Sequence, residues 1–134
     1  MEEDAKIIDL PKVTDPRGNL SFIQGGAALP FEIERCYWVY DVPAGEERYG
    51  RALRTCAEFV VALSGSFDVQ IVDHCGRRSV FHLCRGYKGL LIPPMHWREL
   101  VNFSTNSVAL TLASSTYDEK DYIRDLNHFL NNEG

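Results

Sequence analysis

Over residues 67–73 apolar and polar side chains alternate, and the alternation returns over 78–83. Successive residues of an extended chain face opposite sides, so a period of two predicts two half-buried strands. His74-Cys75-Gly76-Arg77 lies between them and predicts a hairpin turn. Elsewhere the apolar runs are short. Strands are predicted over 6–10, 20–23, 34–42, 56–64, 88–92, 99–103 and 108–113. The 34–42 strand contains Tyr37-Trp38-Val39-Tyr40, whose aromatic and β-branched side chains suit a pleated surface. Asp15-Pro16-Arg17-Gly18, Pro43-Ala44-Gly45, Ser64-Gly65-Ser66 and Pro93-Pro94 mark turns. Many short strands at this spacing predict an all-β sandwich or barrel. Only the tail changes period. Tyr122, Ile123, Leu126, Phe129 and Leu130 share one helical face and predict a short C-terminal helix over 118–130. Asp118 would cap it, with Glu119 and Asp121 in its first turn.

The 134 residues amount to a single domain spanning 1–134. A net charge of −5 argues against the basic face that nucleic acid requires and against attraction to an anionic membrane. The apolar runs, such as 59–63, are too short to span a bilayer. Cys36, Cys56, Cys75 and Cys84 form no CxxC pair, and no export signal is read ahead of them. Reduced thiols and a cytoplasmic location are expected.

Spacing then singles out two stretches. Gly45 is followed by five residues and Arg51, one and Leu53, four and Glu58, then six and Gly65. Pro93, Met95, Arg98 and Asn102 follow at intervals of one, two and three intervening residues. These are the intervals of the two motifs of a cupin, a double-stranded β-helix or jelly-roll barrel. In metal-binding cupins the positions of Arg51, Leu53 and Arg98 carry histidine, and the carboxylate at Glu58 completes the set. Leucine has no donor atom, and arginine stays protonated and does not ligate divalent metal. One carboxylate cannot make a zinc or iron site, so no metal is expected. Arg51 and Arg98 are expected to point inward near Glu58. They form either a self-satisfied ion-pair cluster or a receptor for an anionic or carbonyl-rich ligand.

Five stretches carry a closer likeness: Asp15-Pro16-Arg17-Gly18-Asn19-Leu20, the 35–43 segment around Tyr37, Leu63-Ser64-Gly65-Ser66, Ile92-Pro93-Pro94-Met95-His96-Trp97-Arg98-Glu99, and the 117–125 segment opening Tyr117-Asp118-Glu119. Together they resemble the dTDP-4-keto-6-deoxyglucose 3,4-ketoisomerases, cupin enzymes that make deoxyamino-sugar precursors of surface polysaccharides such as lipopolysaccharide. The resemblance implies a homodimer, often with exchanged N-terminal strands, a dTDP-linked sugar in the barrel, and no cofactor. The family moves a carbonyl between C3 and C4 through an enediol, which requires a base and an acid. A histidine pair in Arg-Gly-x-His-Ala-His is thought to serve it. Here that stretch reads Arg48-Tyr49-Gly50-Arg51-Ala52-Leu53, with both histidines replaced. Arginine is a poor base and leucine is none.

The remaining catalytic candidates are Tyr37, Glu58 and His96. Arg17, Arg48, Arg51, Trp97 and Arg98 are the candidates for substrate binding. Tyr37 is expected to face ligand and Trp38 to lie in the core. His74, His82 and His128 are expected to be surface or satisfied residues, and Cys84 has no evident partner to activate it. Two readings stand: a keto-sugar isomerase with altered acid–base residues, and a non-catalytic cupin that binds a nucleotide sugar or another anion.

Overall fold

The computed structural model describes residues 4–44, 46 and 50–131. Twelve strands and one helix are present among them: β1 Lys6–Asp9, β2 Lys12–Asp15, β3 Gly18–Ser21, β4 Arg35–Val39, β5 Ala52–Leu53, β6 Glu58–Ser64, β7 Phe67–Val72, β8 Arg78–Leu83, β9 Lys88–Ile92, β10 Trp97–Val101, β11 Val108–Ala113, β12 Tyr122–Ile123 and α1 Leu126–Asn131. One antiparallel sheet runs β1-β9-β6-β11-β4 and a second runs β10-β7-β8. Strand β5 pairs with β12, and an antiparallel bridge between Arg51 and Arg98 joins that pair to β10.

Alternation along β6 shows how the sheets face one another. Val60 and Ala62 pack with Phe67, Val69 and Ile71 of β7, Leu90 and Ile92 of β9, and Leu100 of β10. Phe59 and Val61 lie on the opposite face beneath Leu29, Phe31 and Ile33. Strand β6 is therefore buried on both sides, which explains its nearly continuous apolar run. Each fully buried aliphatic or aromatic side chain contributes ~1.5–3 kcal/mol of transfer free energy, so these two layers dominate the stability. Gly65 turns β6 into β7 at φ +68°, a left-handed conformation that favours glycine. An added Cβ there would also lie 2.5 Å from Ser104 Oγ.

The tail departs from the helix expected over 118–130. The Asp118 carboxylate accepts from the Lys120 backbone N–H and caps a 3₁₀ turn, Glu119–Asp121, rather than an α-helix. Tyr122 and Ile123 then pair with Leu53 and Ala52. Strand pairing outweighs the helical spacing, and α1 is confined to six residues whose Phe129 packs on Trp97 at 6.0 Å between ring centroids. Strand β10 begins two residues before the expected 99–103 strand. It lies between Met95 and Asn102, both in the left-handed region at φ 59° and 57°, which set its ends. Trp38, expected in the core, is 57% exposed because its neighbours Tyr37 and Val39 take the inward face of β4.

Candidate functional site

Between the two sheets lies a cavity of about 590 Å³. Tyr37 enters it from β4, Glu58 from β6 and Arg98 from β10, with Arg51 projecting from the residue before β5. Glu58 and Arg98 have no solvent exposure. Arg98 Nη1 donates to Glu58 Oε1 at 2.5 Å, and Arg98 Nη2 donates to the His96 carbonyl at 3.0 Å. The Tyr37 hydroxyl donates to Glu58 Oε2 at 2.7 Å, while Arg51 Nη2 donates to the Tyr37 oxygen at 2.6 Å. Arg51 also lies 3.5 Å from Glu58, and Arg35 lies 3.8 Å from it.

One carboxylate thus faces three guanidinium groups in a protein whose net charge is −5. Charges this far from water persist through such pairing. Positive charge around Glu58 exceeds its own, which gives the cavity a field complementary to anionic or carbonyl-rich groups. Burial first, and then the Glu58 charge, push the Tyr37 phenol up to about 12, with Arg51 pulling it back. Burial draws Arg98 below the usual arginine range while Glu58 opposes the shift. Against burial, the neighbouring Tyr37 and Glu58 hold Arg51 above that range.

The structure brings four of the sequence candidates together: Tyr37, Arg51, Glu58 and Arg98. It places three elsewhere. His96 is buried, but its Nδ1 donates to the Pro94 carbonyl at 3.0 Å, and its ring borders a separate 260 Å³ hollow beside Asp73 and Arg77. Left-handed Met95 lies between Pro94 and His96, where the chain turns before β10 begins. Trp97 follows the pleat to the side opposite Arg98. Its ring packs with Ala52, Ile123 and Phe129, and its Nε1 donates to Glu99 at 2.9 Å. Arg17 sits in the exposed β2–β3 turn, paired with Asp15 at 2.9 Å. Arg48 and Gly45 lie outside the described residues. Leu53 is buried against Cys56 and Ala113.

Arg35, Tyr117, Tyr122 and Arg124 also line the cavity, and sequence reasoning had not singled them out. Arg35 Nη2 donates to Tyr122 Oη at 3.3 Å, and its guanidinium lies over the rings of Tyr37 and Tyr117. The signal for Arg35 was available: it stands two residues before Tyr37 on β4 and shares its face. Among the described residues, no three histidine, cysteine, aspartate or glutamate side chains converge as metal ligands. At the cavity centre Glu58 has both oxygens engaged by Arg98 and Tyr37, so this donor set does not fit a cupin metal centre. No helix among the described residues is long and apolar enough to cross a membrane.

Fold and site together define a cupin with an arginine-rich lumen. The chain belongs to the family described as WxcM-like, C-terminal (FdtA), whose profile matches residues 3–134. It is 36% identical over 124 residues to the TDP-4-oxo-6-deoxy-alpha-D-glucose-3,4-oxoisomerase of Aneurinibacillus thermoaerophilus, covering 92% of this chain and 88% of that one. The structure of QdtA, a sugar 3,4-ketoisomerase from Thermoanaerobacterium thermosaccharolyticum in complex with TDP, superposes with a TM-score of 0.91 at 29% identity, covering 97% of this chain and 94% of that one. The WlaRB TDP-quinovose 3,4-ketoisomerase of Campylobacter jejuni gives 0.90 at 33% identity, covering 98% and 100%. The chain is thus a homologue of the TDP-sugar 3,4-ketoisomerases of deoxysugar biosynthesis.

Proposed function

We propose that this chain binds a TDP-linked 4-keto-6-deoxy sugar in the lumen and interconverts its 4-keto and 3-keto forms. The observation that carries the reading is the Tyr37–Glu58 hydrogen bond at 2.7 Å, flanked by Arg51, in the cavity of a ketoisomerase homologue. The reaction removes the proton on C3, passes through an enediol as the O3 hydroxyl proton moves to O4, and returns a proton to C4. No proton is gained or lost overall. Tyr37 passes its proton to Glu58 as it takes the one from C3, and the reverse relay delivers a proton to C4. Arg51, 2.6 Å from the phenolic oxygen, offsets charge that develops there, and Arg35 faces the same space for the enediolate oxygens. Burial and the Glu58 charge hold the Tyr37 phenol protonated near neutrality, so it serves as a relay to Glu58 and not as a free base. The site works without a cofactor, in a homodimer, in the cytoplasm.

A second reading is favoured by one observation. Both Glu58 oxygens are occupied, by Arg98 and by Tyr37, as in an ion-pair cluster that only binds. In that case the chain holds a nucleotide sugar or another anion without turnover. Incubation with TDP-4-keto-6-deoxyglucose in D₂O, followed by NMR of the ring protons, separates the two. Deuterium at C3 and C4, lost in Tyr37→Phe, supports the isomerase. TDP binding by calorimetry with no exchange leaves the binding protein, and absence of both overturns both readings.

A further inference from the structure

The strand that presents Arg51 is tied down by a residue outside the lumen. Strand β5 is two residues long, too short to hold its own position, yet it leads directly from Arg51. On one side the Arg51 and Arg98 backbones exchange hydrogen bonds at 3.1 and 2.9 Å. On the other, Ala52 and Leu53 pair with β12. The end of β5 is fixed by Asp121, the residue immediately before β12. Asp121 Oδ1 accepts from the Thr55 backbone N–H and from Thr55 Oγ1, both at 2.9 Å, and its backbone carbonyl accepts from the Arg54 N–H at 2.8 Å. The second carboxylate oxygen is buried and has no partner among the described residues. One side chain therefore ties the C-terminal strap to the strand that presents Arg51. The same strap carries Tyr122, whose hydroxyl accepts from Arg35.

We infer that Asp121 is a positioning residue for the lumen: by clamping Thr55 it locks β5 against β12 and so holds the Arg51 guanidinium against Tyr37 and Glu58. The inference rests on the lumen reading proposed above for its effect on ligand, though not for its effect on Arg51 itself. Asp121 touches neither Tyr37 nor Glu58 and acts only through the strand it anchors.

Asp121→Ala is expected to weaken TDP binding, measured by calorimetry, by about tenfold, the scale set by losing two hydrogen bonds that fix the strand. Asp121→Asn keeps the Oδ1 acceptor and is expected to stay within about twofold of wild type. Thr55→Val, which removes one donor from the other side, should weaken binding in the same direction and replaces Asp121→Ala if that variant does not fold. In an Arg51→Ala background Asp121→Ala should add nothing, whereas a merely structural role would weaken both backgrounds alike. Equal losses in the two backgrounds, or wild-type affinity in both Asp121→Ala and Thr55→Val, overturn the inference.

If the wild-type protein gives no heat with TDP, the lumen reading fails, and Asp121 is then judged on Arg51 alone. The Arg51 guanidinium resonance in ¹⁵N NMR, assigned through Arg51→Lys, should move in Asp121→Ala or Thr55→Val and stay in place in Asp125→Ala. An unmoved resonance overturns the inference independently of any ligand.

Discussion

Glu58 is the residue on which the lumen balances. Its carboxylate is the counter-charge to Arg98, Arg51 and Arg35, at 2.5, 3.5 and 3.8 Å. Glu58→Gln keeps the shape and removes the charge, leaving the fully buried Arg98 and the largely buried Arg51 and Arg35 without a counter-charge. A loss of ~3–5 kcal/mol in denaturant unfolding is expected. TDP should raise the melting temperature of this variant more than that of the wild type, because an anionic ligand restores the missing charge. Tyr37 gives a separate test at high pH. Its folded-state pKa, about 12, lies above the ordinary tyrosine value of 10.0. The stability linked to its protonated form is therefore complete below pH 10 and is lost as pH rises through 12. Two units correspond to ~3 kcal/mol, and Tyr37→Phe should remove that extra alkaline sensitivity from unfolding curves taken between pH 10 and 12. Motif spacing made Arg51, Glu58 and Arg98 legible as neighbours. Trp97 leaves the lumen by the pleat once Arg98 faces inward, whereas His96, which the sequence left free to point outward, is carried away where Met95's left-handed backbone turns the chain before β10 begins.

Among the elements, those legible in the sequence are the ones whose burial imposes a pattern. Strands β7 and β8 alternate because one face meets the core, and β6, β9 and β11 read as apolar runs because they are central. Strand β2, Lys12-Val13-Thr14-Asp15, is exposed throughout and carries no such signal. Strands β5 and β12 are two residues each and exist only through each other, so no local window reveals them. The helical spacing of the tail is real, but part of it serves to bury Ile123 and Phe129 against Trp97 rather than to build a long helix. A tighter constraint sits between β6 and β9. A Cβ on Gly89 would lie 2.2 Å from the Phe59 ring, so the side chain that fills the outer face of β6 requires a bare backbone on its neighbour. Gly89→Ala is expected to cost ~1–3 kcal/mol in chemical denaturation. Phe59→Leu should recover part of the loss in the double variant, and purely additive losses would show that the ring is not the obstacle.

At the scale of the whole molecule, the N-terminal hairpin is the part that the barrel leaves least supported. Strands β2 and β3 pair only with each other, and every residue in them is exposed. An isolated two-stranded hairpin is marginal in water. Its cross-strand pair Val13 and Leu20 is 55% and 58% exposed, and Phe22 and Leu63 add apolar surface beside it. A groove of about 520 Å³ lies in the same region, walled by Leu10, Ile23, Tyr87 and Leu112. Apolar surface gathered in this way is covered when a second copy docks on it, which is the physical support for the homodimer proposed above. Sedimentation equilibrium should then give twice the 15.2 kDa chain mass. Val13→Asp combined with Leu20→Asp should return the single-chain mass while the far-ultraviolet spectrum keeps its β character, because neither residue belongs to the buried clusters between the sheets. A wild-type protein that sediments at 15.2 kDa at tens of micromolar would remove the dimer, and the hairpin would then owe its order to the barrel alone.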